Sequence, residues 1–458
     1  MTDAAAPLDP LGAGGSGPAT RGGAGPAARG SVARVGVATA VTAVCGYAVL
    51  YLAARDLEPA GFSVFGVFWG AFGLVTGAAN GLLQEATREV RSTPYHVGTG
   101  AAPAATSHTG AAPAATSHTG AAPAARATAA RTHAMRVAAV VGLVAAASIA
   151  LTSPLWSPHV FAESRPLSVA LLSAGLAGFC LHATLLGMLA GVNRWTQYGS
   201  LMVTDAGIRV AVAGATFVLG WGLVGFLWAT VAGSLAWLIL VVVSPAARSA
   251  ARLMTPGSTA TFLRGASHSI AAAGASAILV MGFPVLLKAT SGDLGSAGGV
   301  VILAVTLTRA PLMVPLTAMQ GNLIAHFVDQ RSGRLRALVA PAAIVAGIGL
   351  IGVVAAGTLG PWLLRTAFGA QYRADGALLA WFTVAAVAIA LLTLTGAATV
   401  AAALHRAYSA GWVGATVASV LLLLLPMDLE TRTVVALLCG PLVGIAVHLA
   451  ALASSSDG

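Results

Sequence analysis

Residues 56–83 read DLEPAGFSVFGVFWGAFGLVTGAANGLL. An acidic, proline-bearing turn leads into an uncharged run, 62 to 83, which as a helix rising 1.5 Å per residue is long enough to cross the hydrocarbon core of a bilayer. Gly66, Gly70, Gly73, Gly77 and Gly81 recur at spacings of four, three, four and four. On a helix they form one nearly continuous strip. Such a strip lets two helices approach closely in lipid, or marks a moving, substrate-facing element.

Outward from this run the pattern repeats. Further runs of about twenty apolar residues lie upstream at 33 to 54 and downstream at 136 to 153, 167 to 191, 199 to 218 and 221 to 243. After a polar stretch, six more follow at 267 to 290, 298 to 322, 337 to 358, 376 to 404, 408 to 426 and 433 to 453. The fold class is therefore an all-α integral membrane protein with about twelve transmembrane helices. The composition agrees, with 57% hydrophobic and 8% charged residues and a mean hydropathy of +0.86. A soluble domain carries about 25% charged residues.

The net charge of +10 does not point to nucleic acid, because the basic residues stand singly or in small groups between apolar runs. With the N-terminus inside, sixteen of the 24 fall on cytoplasmic segments and six on outer ones, leaving Arg209 and Arg309 within the membrane. Both termini are then expected on the cytoplasmic side of a bacterial cell membrane. Cys45, Cys180 and Cys439 lie in apolar stretches and read as small hydrophobes. The first thirty residues lack the apolar core of a signal peptide and read as a tail.

The turn at the head of the quoted stretch has a partner. Asp56-Leu57-Glu58-Pro59-Ala60-Gly61 follows the first run, and Asp293-Leu294-Gly295-Ser296-Ala297-Gly298 follows the seventh. Asn193-Arg194 to Tyr198, after the fourth run, echoes His405-Arg406-Ala407-Tyr408 after the tenth. Each half holds an even number of spans, so the two copies share one orientation about an axis along the membrane normal. The organisation expected is a disordered tail over 1–32, a first six-helix lobe over 33–243, a linker over 244–266, a second lobe over 267–453 and a short tail over 454–458. Within the first lobe, 92–131 carries Gly-Ala-Ala-Pro-Ala-Ala-Thr-Ser-His-Thr twice in tandem and reads as a disordered cytoplasmic insertion.

A duplicated bundle points to a transporter with its site near the midplane between the lobes. The eighth run, counterpart of the glycine-bearing second, carries Pro311 and Pro315, so the hinge candidates are Gly66, Gly70, Gly73, Gly77, Gly81, Pro311 and Pro315. Arg309 stands mid-span with no carboxylate within a turn. A central arginine costs about 2.5 to 3.5 kcal/mol to insert, so it faces water, an anion or an acid on another helix. Asp205 and Arg209, four apart, either neutralise one another or exchange a coupling proton or sodium ion. Glu85, Arg88 and Glu89 cluster at a helix end, where Glu85 and Arg88 are candidates for substrate contact. His182 reads as a core histidine. With Lys288 as the single lysine, no phosphate-loop motif exists.

Several segments resemble the polysaccharide flippases of the multidrug/oligosaccharidyl-lipid/polysaccharide (MOP) exporter superfamily, particularly actinobacterial Wzx-like members. These are residues 56–65 running into Phe68-Trp69, then Leu83-Gln84-Glu85-Ala86-Thr87-Arg88-Glu89, Leu189-Ala190-Gly191 with Arg194 and Tyr198, and Thr308-Arg309-Ala310-Pro311. The resemblance implies two rocking six-helix lobes and a cargo of oligosaccharide on a polyprenyl pyrophosphate, with Arg309 clamping the pyrophosphate. The substrate-binding candidates are thus Arg309, Arg209, Glu85 and Arg88, with no metal and no cofactor. The partners are the bilayer, the lipid-linked saccharide and other membrane proteins of polysaccharide synthesis. Other readings are a small-molecule exporter, a polyprenyl-dependent glycosyltransferase using Asp56 and Glu58, and a scaffold.

Overall fold

The computed structural model describes residues 26–92, 131–330 and 334–455. The tail expected over 1–32 and the repeat insertion over 92–131 fall outside them, apart from their margins. Among the described residues, nine helices are long and apolar enough to cross a membrane, or ten if the bent pair Thr259–Val280 and Phe283–Ser291 is one span.

One of the nine, Arg34–Ser92, has 59 residues. Straight, it would run about 90 Å, far beyond a bilayer. Its two ends nevertheless meet. Arg34 Nη1 donates to Thr196 Oγ1 at 3.2 Å, and the Arg91 guanidinium lies 5.8 Å from the Trp195 ring. The chain therefore reverses at Glu58, whose φ of 53° breaks the helical path ahead of Pro59. Two antiparallel helices result, α1 (26–57) and α2 (59–92).

The remaining spans of the first half are α3 (Ala134–Val160), α4 (Arg165–Gly191), α5 (Trp195–Leu219) and α6 (Gly222–Val243), with a 3₁₀ turn at Gly233–Leu235 inside α6. A short linker helix, Pro245–Ala251, follows. In the second half α7 comprises Thr259–Val280 and Phe283–Ser291, bent by 62°. Then come α8 (Gly295–Asp329), α9 (Arg334–Phe368), α10 (Gly376–Ala401), α11 (His405–Leu423) and α12 (Leu429–Ser454). α11 is short and polar at its start, and it packs along α12. Counting the hairpin as two and the bent pair as one, and including α11, which is not among the helices apolar enough to span, gives twelve long helices among the described residues, six in each half.

The duplication is written in the backbone. Glu58 (φ 53°) and Gly295 (φ 50°) both take positive φ at the third position of their Asp-Leu turns. Asn193 (φ 58°) and Ala403 (φ 59°) do so in the turns after α4 and α10. There Asn193 N–H bonds Ala190 O and Arg194 N–H bonds Leu189 O, as Ala403 N–H bonds Val400 O and Leu404 N–H bonds Thr399 O. These bonds align Arg194 with Leu404 and Tyr198 with Tyr408. The expected pairing of Arg194 with Arg406 is therefore two residues out of register.

The glycine strip of α2 forms the seam between the lobes. A methyl group on Gly66 would lie 2.8 Å from Ile302 of α8, one on Gly73 3.2 Å from Met281, and one on Gly77 2.6 Å from the Ala277 methyl. Gly81 abuts the backbone of Ile270. We call the end of the bundle that carries the termini the near end, and the opposite one the far end. At the far end, Tyr372 between α9 and α10 is fully buried against Phe62 of α2 and Phe368, and Phe368 packs on Tyr51 of α1. The far halves of α1 and α8 are buried at Val49, Ala53, Val301 and Leu303. Their near halves are exposed at Val37 (64%), Val44 (69%) and Met319 (53%). Between α1 and α8 the packing is thus confined to the far half, whereas α2 and α7 stay in contact from Gly66 down to Gly81 and Glu85 at the near end.

Candidate functional site

Arg309 and Tyr47 occupy the level at which the buried halves of α8 and α1 pass into the exposed ones. Tyr47 is close enough for an electrostatic interaction with the guanidinium. Arg309 is 9% exposed. Its Nη1 donates to the Val280 carbonyl at 3.2 Å, and its Cζ lies 5.4 Å from the centre of the Phe283 ring. Val280 ends the first segment of α7, where the bend at Met281-Gly282 frees carbonyls from helical bonding. Arg309 Nη2 is buried without a hydrogen-bond partner, and no carboxylate forms an ion pair with this side chain among the described residues. A cation in that state keeps binding capacity for an anion.

Asp205 and Arg209 of α5 are brought together. Arg209 donates from Nε (3.1 Å) and Nη2 (3.0 Å) to Asp205 Oδ1, and Phe72 of α2 lies beneath the guanidinium at 5.4 Å. The 3₁₀ turn of α6 makes room, since Gly233 sits against both side chains and no larger residue fits there. His182 of α4 interacts electrostatically with both members of the pair, stacks on Phe179 at 5.3 Å, and buries its Nδ1 without a partner. Ser234 Oγ is likewise buried and unpartnered. No spacing rule links His182 to Asp205, so sequence reasoning missed this cluster.

Glu85, Arg88 and Glu89 form a network at the near end of α2. Arg88 donates from Nε to Glu85 Oε2 at 3.0 Å and from Nη2 to Glu85 Oε1 and Glu89 Oε1, both at 2.6 Å. Glu85 is buried against Gly265 of α7, while the Arg88 side chain is 60% exposed. Pro311 and Pro315 lie inside an unbroken α8. Pro311, with Leu307, Gly352 and Leu363, lines an apolar recess of about 410 Å³ between α8, α9 and α10. The structure thus joins Asp205 to Arg209 and Glu85 to Arg88, and leaves Arg309 apart from both pairs.

No family model matches the sequence. The chain is 68% identical over 455 residues to the uncharacterized protein Rv3630 of Mycobacterium tuberculosis (strain ATCC 25618 / H37Rv), covering 99% of this chain and 97% of that one. It is 65% identical over 427 residues to the uncharacterized protein Rv1510 of the same strain, covering 93% and 92%. Among solved structures it is similar to an inward-facing multidrug resistance MATE family transporter of the MOP superfamily (TM-score 0.63, 14% identity, 90% of this chain and 95% of that chain). It is also similar to a MOP superfamily transporter from Pyrococcus furiosus Vc1 (DSM3638), described as having a binding pocket of reverse polarity (TM-score 0.58, 14% identity, 93% and 96%). These likenesses show the fold.

Proposed function

We propose that this chain, which belongs to the family of the mycobacterial proteins Rv3630 and Rv1510 and has the fold of the MOP transporters, is an exporter that flips a polyprenyl-pyrophosphate-linked oligosaccharide across the cytoplasmic membrane by alternating access. The observation that carries the reading is Arg309, a buried guanidinium with no carboxylate partner among the described residues, at the level where the buried halves of α1 and α8 give way to exposed ones. A pyrophosphate headgroup is the anion it suits, because the planar fork matches two phosphate oxygens at once. The distribution of arginines puts the near end on the cytoplasmic side, so the exposed near halves of α1 and α8 would face the side from which cargo loads. Separation of the lobes at the far end would release the saccharide outside.

Coupling to an ion gradient would run through Asp205, which becomes available to a proton or sodium ion once Arg209 lets go. A small-molecule cation exporter is less well supported, because the buried acids Asp205 and Glu85 are both already paired with arginines. A glycosyltransferase using Asp56 and Glu58 is disfavoured by the turn they occupy, whose geometry recurs at Asp293 and Gly295.

The test is the level and sidedness of polyprenyl-linked oligosaccharide in a deletion strain complemented with the intact gene or an Arg309→Ala copy of equal expression. Accumulation on the cytoplasmic leaflet, reversed by the intact gene alone, is the expected result. Unchanged lipid-linked sugar in the deletion strain would sink the proposal.

A further inference from the structure

We infer that the near end of the first lobe carries a second site, for the anionic phosphate headgroup of a membrane lipid, built by Arg91 and Arg194. It stands independently of the transport reading. A cavity of about 490 Å³ opens between the end of α2, the α4–α5 turn and the linker helix. Its floor is apolar, with Val90, Val192 and Leu253, and its polar wall is formed by Arg91, Arg194 and Ser249. No acidic residue lines it.

Arg91 is fixed in place without an acidic partner among the described residues. Among the described residues it donates once, from Nη2 to Ala190 O at 3.3 Å, forms no ion pair, and lies over Trp195. Arg194 is exposed and makes no side-chain bond among the described residues. It stands at the N-cap of α5, which has no side-chain cap and no acid in its first turn. The positive end of that helix therefore adds to the two guanidinium charges.

The second lobe supplies an internal control. The turn after α10 has the same backbone and the same two hydrogen bonds, yet places Ala403 and Leu404 where the first lobe has Asn193 and Arg194. The turn does not need an arginine to form. The cation is an addition to the fold, facing a cavity that suits an anion.

A lipid headgroup fits better than a free anion because the floor is apolar. A soluble phosphate has no use for valine and leucine beneath it, whereas a phospholipid brings its glycerol and first methylenes along with its phosphodiester. The site also lies at the ends of the spans, where headgroups sit, with Trp195 beside it as an interfacial aromatic.

The experiment uses the full chain purified in a neutral detergent and measures binding of dihexanoyl phosphatidylglycerol by thermal shift and thermophoresis. Dihexanoyl phosphatidylcholine and inorganic phosphate are run in parallel. Phosphatidylglycerol should bind best, and Arg91→Ala and Arg194→Ala should each weaken it by about tenfold or more, as loss of a charge-assisted contact does. Arg194→Lys should retain part of the affinity, and Arg336→Ala, an exposed near-end control, all of it. Arg194 is exposed and free of side-chain bonds among the described residues, so Arg194→Ala should melt like the wild type without lipid. As a check that needs no variant, bound phosphatidylglycerol should protect Arg194 from phenylglyoxal. Unchanged affinity in the double variant would overturn the site, and inorganic phosphate binding as tightly as phosphatidylglycerol would overturn its assignment to lipid.

Discussion

The phenolic oxygen of Tyr372 donates a 2.9 Å hydrogen bond to the main-chain carbonyl of Ala54, 318 residues earlier in the chain. One bond thus ties the α9–α10 connection of the second lobe to the last turn of α1 in the first. It lies among Phe62, Phe368 and Tyr51, so the far-end seal combines one directional bond with a ring cluster. Opening that end must break the bond and separate the rings.

Tyr372→Phe keeps the ring and removes the donor. A buried hydrogen bond contributes about 1 kcal/mol net, so the sealed population should fall about fivefold relative to the open one. Nitroxides at exposed Arg55 and Arg373, in a background with Cys45, Cys180 and Cys439 replaced by Ala, would report this as growth of a longer-distance component. An unchanged distance distribution would show that packing alone holds the seal.

Arg309→Met separates function from stability. The wild-type guanidinium gives up hydration for one carbonyl and one ring, leaving Nη2 unsatisfied. Because desolvating a buried charge is costly, an apolar chain of similar length should be neutral or stabilising where the charge has no function in the fold. The expected result is an equal or higher melting temperature in nanodiscs together with loss of complementation. A variant that melts much lower would make Arg309 primarily the cap of the broken α7.

How much of this site was legible beforehand differs residue by residue. Arg309 and the Asp205–Arg209 pair could be found because a charge inside an apolar run is costly, and hydropathy alone exposes it. The reversal at Glu58 could be found because an acidic Pro-bearing turn separates two runs. The bend in α7 is hidden inside the apolar run 267 to 290. Met281-Gly282-Phe283 is uniformly apolar, and hydropathy cannot see a change of direction. The signal that was present is Pro284, which disfavours helical geometry at the residue before it. The carbonyl partner of Arg309 and the place of His182 beside Asp205 depend on tertiary packing, and no spacing in the chain encodes them.

The buried pair on α5 sets up a comparison of single and double substitutions. Asp205→Asn alone leaves Arg209 uncompensated beneath Phe72, and Arg209→Gln alone leaves a bare carboxylate beside His182. Each should destabilise by about 3 to 5 kcal/mol, whereas the double substitution should recover most of that loss. Melting temperatures of the four proteins in one lipid composition give the coupling directly. Additive losses would mean that the two side chains are separately hydrated. If Asp205 also carries the coupling ion, the double variant should be stable yet unable to accumulate cargo against a gradient.

The glycine strip admits a test by the size of one methyl group. At Gly81 a Cβ would run into the backbone of Ile270, which cannot rotate away, so Gly81→Ala must push α2 from α7. At Gly77 the obstacle is the Ala277 methyl at 2.6 Å, again with no flexible end to yield. At Gly46 of α1 nothing lies within 4 Å, and alanine there costs no packing and favours the helix. Overpacking of this kind typically costs about 1 to 3 kcal/mol. Gly81→Ala and Gly77→Ala should therefore lower the melting temperature, and Gly46→Ala should leave it level or raise it. If the strip serves only as a fixed seam, the damaged variants will lose stability and transport together. If α2 slides along α7 during the cycle, the milder Gly73→Ala, whose new methyl would lie 3.2 Å from Met281 Cβ where that of Gly77→Ala meets Ala277 at 2.6 Å, should keep most of its stability and slow transport. Transport rates at equal folded protein decide between the two, and a Gly73→Ala protein that transports at the wild-type rate would rule out sliding.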